Sequence, residues 1–152
     1  MLFLHFPLSL SARFRTKLAQ EFSVEEVQHM LVPREGVVST YVVENDAGEI
    51  TDMCSFYYLP STVINNPLHN KLNAVYSYYN VATTMSVEDL MRDLLILARD
   101  EGADVFNALD LMENEGVFDK LLFGAGDGFL QYYLYNWKCP SMQAKDMGLV
   151  LL

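Results

Sequence analysis

The chain has 152 residues, 51% of them hydrophobic and 20% charged, with 10 Lys and Arg against 20 Asp and Glu for a formal net charge of -10. That length builds one ordinary core rather than two, and 9 Tyr, 9 Phe and 1 Trp argue against intrinsic disorder. A negative surface field disfavours nucleic acid and anionic membrane as partners and leaves a basic peptide or protein as the better fit, and no apolar run approaches the roughly 20 residues that span a bilayer, so no transmembrane segment is expected.

Residues 1–22 are expected to be an atypical, unstructured segment. The charges Arg13, Arg15 and Lys17 follow its apolar stretch instead of preceding it, the wrong order for a signal peptide, and a cytoplasmic protein is expected. Ser23 then caps a helix over residues 24–31, with Glu26 closing a capping box and Phe22 stapling against Val27. Val32-Pro33 ends it. Residues 37–44 and 49–58, rich in β-branched and aromatic side chains around the turn Asn45-Asp46-Ala47-Gly48, form an antiparallel hairpin. After a loop punctuated by Pro60, Asn65, Asn66 and Pro67, residues 72–81 read as a third strand.

Ser86 caps the strongest helix, whose Val87, Leu90, Met91, Leu94, Leu97 and Ala98 recur at three- and four-residue spacing before Gly102; the stripe reads as core packing. A short apolar strand over 104–109 follows, giving a strand-helix-strand crossover. Residues 111–122 predict a helix or helical turn. Residues 130–137 alternate as a strand, with Leu130, Tyr132, Leu134 and Asn136 on one face and Gln131, Tyr133, Tyr135 and Trp137 on the other, and 148–152 is a final apolar strand. The expected fold class is α/β (α+β), a mixed, largely antiparallel sheet with flanking helices in one domain over 23–152.

Local motifs give little chemistry by themselves. Cys54 and Cys139 lack the paired spacing of a zinc or redox site and read as reduced core thiols, and His5, His29 and His69 form no helical pair, so no metal site is expected. Gly124, Gly126 and Gly128 around Asp127 permit positive φ or the close approach of a ligand, or make a tight turn before a strand. They are no phosphate loop, since the Lys-Ser/Thr pair is missing, and Leu121-Leu122-Phe123-Gly124-Ala125-Gly126 shares only its glycines with the loop that grips CoA pyrophosphate in small acetyltransferases.

Phe123-Gly124-Ala125-Gly126-Asp127-Gly128, followed by Leu130-Gln131-Tyr132-Tyr133-Leu134-Tyr135-Asn136-Trp137-Lys138, resembles the signature and following strand of N-myristoyltransferases. Ser55-Phe56-Tyr57-Tyr58-Leu59-Pro60-Ser61-Thr62, Asp104-Val105-Phe106-Asn107-Ala108-Leu109, Met112-Glu113-Asn114 and Gly148-Leu149-Val150-Leu151 resemble family segments in the same order, while Leu122 stands where the family often has Lys. The resemblance implies the carboxy-terminal half of a pseudo-twofold fold of two GNAT-like halves. It implies a glycylpeptide N-tetradecanoyltransferase that moves myristoyl from myristoyl-CoA to the N-terminal glycine of a protein. The matching blocks put Tyr57, Ser61, Asp127, Gly128, Leu130 and Leu151 on the peptide groove and make the terminal carboxylate of Leu152 the general base.

On this reading no cofactor binds this half. Myristoyl-CoA is the co-substrate, reached through the other half, and Gly-starting peptides with basic residues are the partners. Alone, the chain is expected to be inactive and sticky. The alternative is a non-catalytic peptide- or protein-binding module derived from that enzyme.

Overall fold

The computed structural model describes residues 16–151. The order of elements is β1 (Leu18–Ala19), α1 (Val24–Leu31), β2 (Val38–Glu44), β3 (Ile50–Tyr58), β4 (Ser61–Thr62), β5 (Lys71–Leu72), β6 (Ala74–Ser77), α2 (Val87–Asp100), β7 (Val105–Asn107), α3 (Glu115–Phe118) and β8 (Met147–Gly148). Strand β1 lies within the 1–22 segment, of which residues 1–15 fall outside the described residues.

The principal sheet has the order β2-β3-β6-β7. Its first two pairings are antiparallel and β6-β7 is parallel, with Val75 opposite Phe106. The parallel pair needs a crossover, and α2 supplies it. Strand β3 is covered on both faces: Met53 and Tyr57 look into a cluster with Leu31, Val38, Tyr78, Tyr79, Leu111, Met147 and Val150. Cys54, Phe56 and Tyr58, one residue out of phase, meet Leu90, Met91, Leu94 and Ala98 of α2. The period-2 alternation of a strand thus feeds two cores, which is why apolar side chains on both faces of this segment are buried.

The helix boundaries follow the predicted caps. Ser23 and Glu26 form a reciprocal capping box at α1, and Val32, extended at φ -65 and ψ 128 before Pro33, ends it. The Ser86 hydroxyl accepts from the Asp89 amide, and Gly102 at φ +83 lets the chain leave α2. In the hairpin, Asn45 Oδ1 accepts from the amides of Ala47 and Glu49, and Gly48 takes φ +77.

Four expected elements come out shorter, among them the strand over 104–109, which is only Val105–Asn107. The third strand ends at Ser77: the Ser55 hydroxyl donates to the Tyr79 carbonyl and accepts from its amide, and Val81 rejoins Met53. Pairing therefore passes from Phe56 opposite Ser77 to Met53 opposite Val81, one residue more on the second strand, which is a bulge. The helix expected over 111–122 is the single turn α3, bracketed by left-handed Met112 (φ 55) and Leu122 (φ 58), which an α-helix does not admit.

Residues 130–137 form no strand. Among the described residues no strand pairs with them, Asn136 turns left-handed (φ 54), and most of their side chains are exposed. Alternation without a neighbouring ladder does not hold a strand. The last strand is reduced to β8, paired in parallel with β1 through Leu18–Met147 and Ala19–Gly148. Cys54 is buried as expected, but Cys139 is exposed, because the irregular segment carrying it packs no core around the thiol.

Candidate functional site

Tyr57 and Tyr76 are direct partners across β3 and β6, so their rings stack at 5.3 Å and 16°. Tyr78 meets Tyr57 edge-on at 5.6 Å and touches Tyr79 at 4.6 Å, and Tyr79 in turn meets Phe22 edge-on at 5.3 Å. Burial, and then the neighbouring Tyr76 and Tyr132 phenols, push the Tyr57 hydroxyl above the usual tyrosine value. Burial does the same to Tyr78, whose hydroxyl is enclosed without a hydrogen-bond partner among the described residues.

This tyrosine cluster reaches the end of the described chain. The Tyr132 hydroxyl donates to the Leu149 carbonyl at 3.2 Å, and the Val150 amide donates to the Tyr79 hydroxyl oxygen at 3.2 Å. Burial raises the Tyr79 pKa and the Val150 amide partly offsets it, while Tyr132 is raised mainly by burial. Both phenols are therefore neutral at physiological pH. Upstream, the Met112 amide donates to the Met147 carbonyl at 3.2 Å, and Lys17 pairs with Asp146 at 2.9 Å.

Of the residues expected at the site, Tyr57 is half-buried in this cluster, and Leu151 is 60% exposed just beyond the anchored Leu149 and Val150. Tyr57 and Tyr132 both pack against the core cluster that contains Val150. Leu130 is 64% exposed two residues before Tyr132. Ser61 lies on the β4–β5 ribbon opposite Leu72, exposed, and no described contact joins it to the others. Asp127 and Gly128 are exposed in an irregular loop, and among the described residues no hydrogen bond or ion pair engages the Asp127 carboxylate. Leu152 lies outside the described residues.

The loop glycines do not serve the backbone need the sequence offers for them. Gly124, Gly126 and Gly128 all avoid positive φ, and a Cβ on any of them would meet nothing within 4 Å. Tyr79 and Tyr132 are the residues sequence reasoning missed. Tyr132 falls on the same alternating face as Leu130, the one available signal; the partner of Tyr79 is 71 residues away and leaves no local trace. Among the described residues no group of three or more His, Cys, Asp or Glu side chains could hold a metal ion, and no helix is long and apolar enough to cross a membrane.

Residues 9–150 match the family model described as the C-terminal domain of myristoyl-CoA:protein N-myristoyltransferase. The chain belongs to the N-myristoyltransferase family. It is 58% identical over 127 residues to glycylpeptide N-tetradecanoyltransferase 2 of Danio rerio, covering 84% of this chain and 26% of that protein. To the glycylpeptide N-tetradecanoyltransferase of Drosophila melanogaster it is 52% identical over 138 residues, 91% of this chain and 29% of that one. The chain thus spans between a quarter and a third of the length of these N-myristoyltransferases.

A crystal structure of Saccharomyces cerevisiae N-myristoyltransferase with bound myristoyl-CoA superposes with a TM-score of 0.72 at 34% identity, over 84% of this chain and 36% of that one. A Trypanosoma brucei acetyltransferase, at 15% identity and a TM-score of 0.53, shares the fold alone over 76% of this chain and 82% of its own. The GNAT-like α/β fold expected from the resemblance is therefore the fold of this N-myristoyltransferase domain.

Proposed function

We propose that the chain is the peptide-binding half of a glycylpeptide N-tetradecanoyltransferase, and that the terminal carboxylate of Leu152 is its general base. The observation that carries the reading is that Tyr79 and Tyr132 bond the Leu149–Val150 segment while Tyr57 packs against the same core, in a member of this family. Tyr57, Ser61, Asp127, Gly128, Leu130 and Leu151 line the groove. A Gly-starting peptide lies over the open glycine loop, and basic residues downstream of its glycine suit a chain of net charge -10. A cytoplasmic location belongs to the same reading.

The incoming glycine amine has a pKa of roughly 7.7 to 8.0 and arrives largely protonated at neutral pH. The carboxylate takes one proton. The freed amine attacks the thioester carbonyl of myristoyl-CoA, the carbon-sulfur bond breaks as the amide forms, and the second amine proton leaves with the CoA sulfur. A carboxyl with a reference pKa of roughly 3.3 to 3.7 is a weak base in water, and desolvation raises it. Stabilising the thioester oxyanion, worth about 3 kcal/mol of barrier, falls to the region this chain does not include. By itself the chain therefore binds peptide and turns nothing over.

Calorimetry with a Gly-starting basic peptide and with myristoyl-CoA tests the first half of this reading: the peptide binds the isolated chain and myristoyl-CoA does not. Joining the remaining region of the Danio rerio relative then yields acyl transfer, and adding one residue after Leu152 abolishes it. Peptide binding with no transfer in the completed protein would mark a binding module instead. Full turnover by the extended protein would remove the carboxylate from its role.

A further inference from the structure

Among the described residues strand pairing ends at Gly148, and no ladder fixes the course of Leu149, Val150 and Leu151. Two side-chain hydroxyls take over. Tyr132 donates to the Leu149 carbonyl and Tyr79 accepts from the Val150 amide, each at 3.2 Å, so consecutive residues are pinned through one acceptor and one donor. We propose that Tyr79 and Tyr132 are positioning residues of the acyl transfer, clamping Leu149 and Val150 so that the Leu152 carboxylate meets the glycine amine at a fixed point. The inference rests on the role proposed above for that carboxylate.

The clamp is itself braced. Tyr79 is fully buried, its ring is wedged by Phe22 and Tyr78, and its amide and carbonyl are both tied to the Ser55 hydroxyl at 3.0 and 2.7 Å. Tyr132 is half-buried and packs, like Tyr57, against the core that contains Tyr79 and Val150. Val150 is buried in the core that contains Tyr79 and Met147. Anchoring Val150 shortens the free end of the chain, and a free apolar end frays.

Placement matters because a general base must stand within hydrogen-bond reach of the proton it removes, and a misplacement of about 1 Å can cost about 100-fold in rate. Raised phenol pKa values keep both hydroxyls uncharged, so neither repels the carboxylate.

The test uses the chain completed with the remaining region of the Danio rerio relative. Tyr79→Phe and Tyr132→Phe keep the rings and remove the hydroxyls. Each is expected to lower kcat by about 10-fold or more while peptide KM stays within about 2-fold. A semisynthetic protein with a terminal amide in place of the Leu152 carboxylate should lose turnover, and either Tyr→Phe change added to it should lower the residual rate no further. Unchanged kcat in a folded Tyr132→Phe protein, with turnover still abolished by the amide, overturns the clamp and spares the base. Wild-type turnover by the amidated protein defeats the base and the clamp with it. An equal loss from Tyr→Phe in both backgrounds makes the tyrosines merely structural, and Tyr132, half-buried, keeps the experiment decisive if Tyr79→Phe unfolds.

Discussion

Gly148→Ala places a methyl where the fold has no room. The new Cβ would stand 2.5 Å from Thr16 Oγ1 and 3.3 Å from both the Ala19 Cβ and the Leu18 carbonyl oxygen. The first contact is far inside van der Waals distance and belongs to a short β-branched side chain, so β1 and β8 must part slightly. Overpacking of this kind costs about 1 to 3 kcal/mol. Thr16 Oγ1 is also buried, without a hydrogen-bond partner among the described residues. Thr16→Ala alone therefore removes a polar atom that is costly to bury and should leave stability within about 0.5 kcal/mol of the parent, or raise it.

In the double variant the 2.5 Å contact is gone and the two 3.3 Å contacts remain, so most of the loss returns, with a coupling of about 1 to 2 kcal/mol. Urea denaturation of the four proteins, read by far-ultraviolet circular dichroism, measures the cycle, and thermal melts should show about 2 to 4 °C per kcal/mol. A Gly148→Ala protein as stable as the parent, or a double variant that keeps the whole loss, would refute the packing argument.

Three further outcomes are expected. Asp52 is fully buried; burial by itself raises its carboxyl, but hydrogen bonds from the Thr84 and Thr51 hydroxyls and the Thr83 and Thr84 amides outweigh it and hold the pKa at about 2, below the ordinary 3.8. Its stabilisation is thus present above pH 4 and lost as pH falls through 2, so Asp52→Asn should cost about 2 kcal/mol at pH 7, a gap that closes in denaturation curves between pH 4 and 2. Glu101 accepts from Ser39, Tyr41 and Tyr58, whose bonds overcome burial and lower its pKa; Glu101→Gln should lose about 1 kcal/mol at neutral pH, and less in acid, by the same denaturation assay. Cys54 is buried and pushed up to about 12, first by burial and then by Asp93, whereas Cys139 is exposed, so iodoacetamide should modify Cys139 in the folded chain and both thiols after unfolding, read by mass spectrometry.

The elements legible in the sequence are those whose signals are local. Ser23 with Glu26, and Ser86 with the Leu90, Met91, Leu94 and Ala98 stripe, declare two helices because caps and 3.6-residue periodicity lie within a few residues of one another. The hairpin is equally plain, since the Asn45 turn satisfies its own backbone. What failed depends on neighbours distant in sequence. Residues 130–137 have the alternation of a strand and lack the partner that would make them one. The third strand reads as continuous to Val81, but Ser55, 24 residues away, captures the Tyr79 backbone and bulges it.

The site divides along the same line. The glycine loop is conspicuous in composition, yet its glycines sit in open space and take no left-handed conformation, so their sequence signal overstates their backbone role. Tyr79 and Tyr132 are hard to pick from nine tyrosines in a chain where most read as strand or core. Only the fold shows that these two spend their hydroxyls on the Leu149 carbonyl and the Val150 amide. An apolar tail can pack in many ways because its side chains carry no direction, whereas a donor and an acceptor on successive residues admit few. If the tail presents a base, the apolar residues supply the desolvation that raises its pKa and the two tyrosines supply the aim, and substitutions of the two kinds should then separate: a polar Val150 should change the pH dependence of turnover, and Tyr79→Phe its maximal rate.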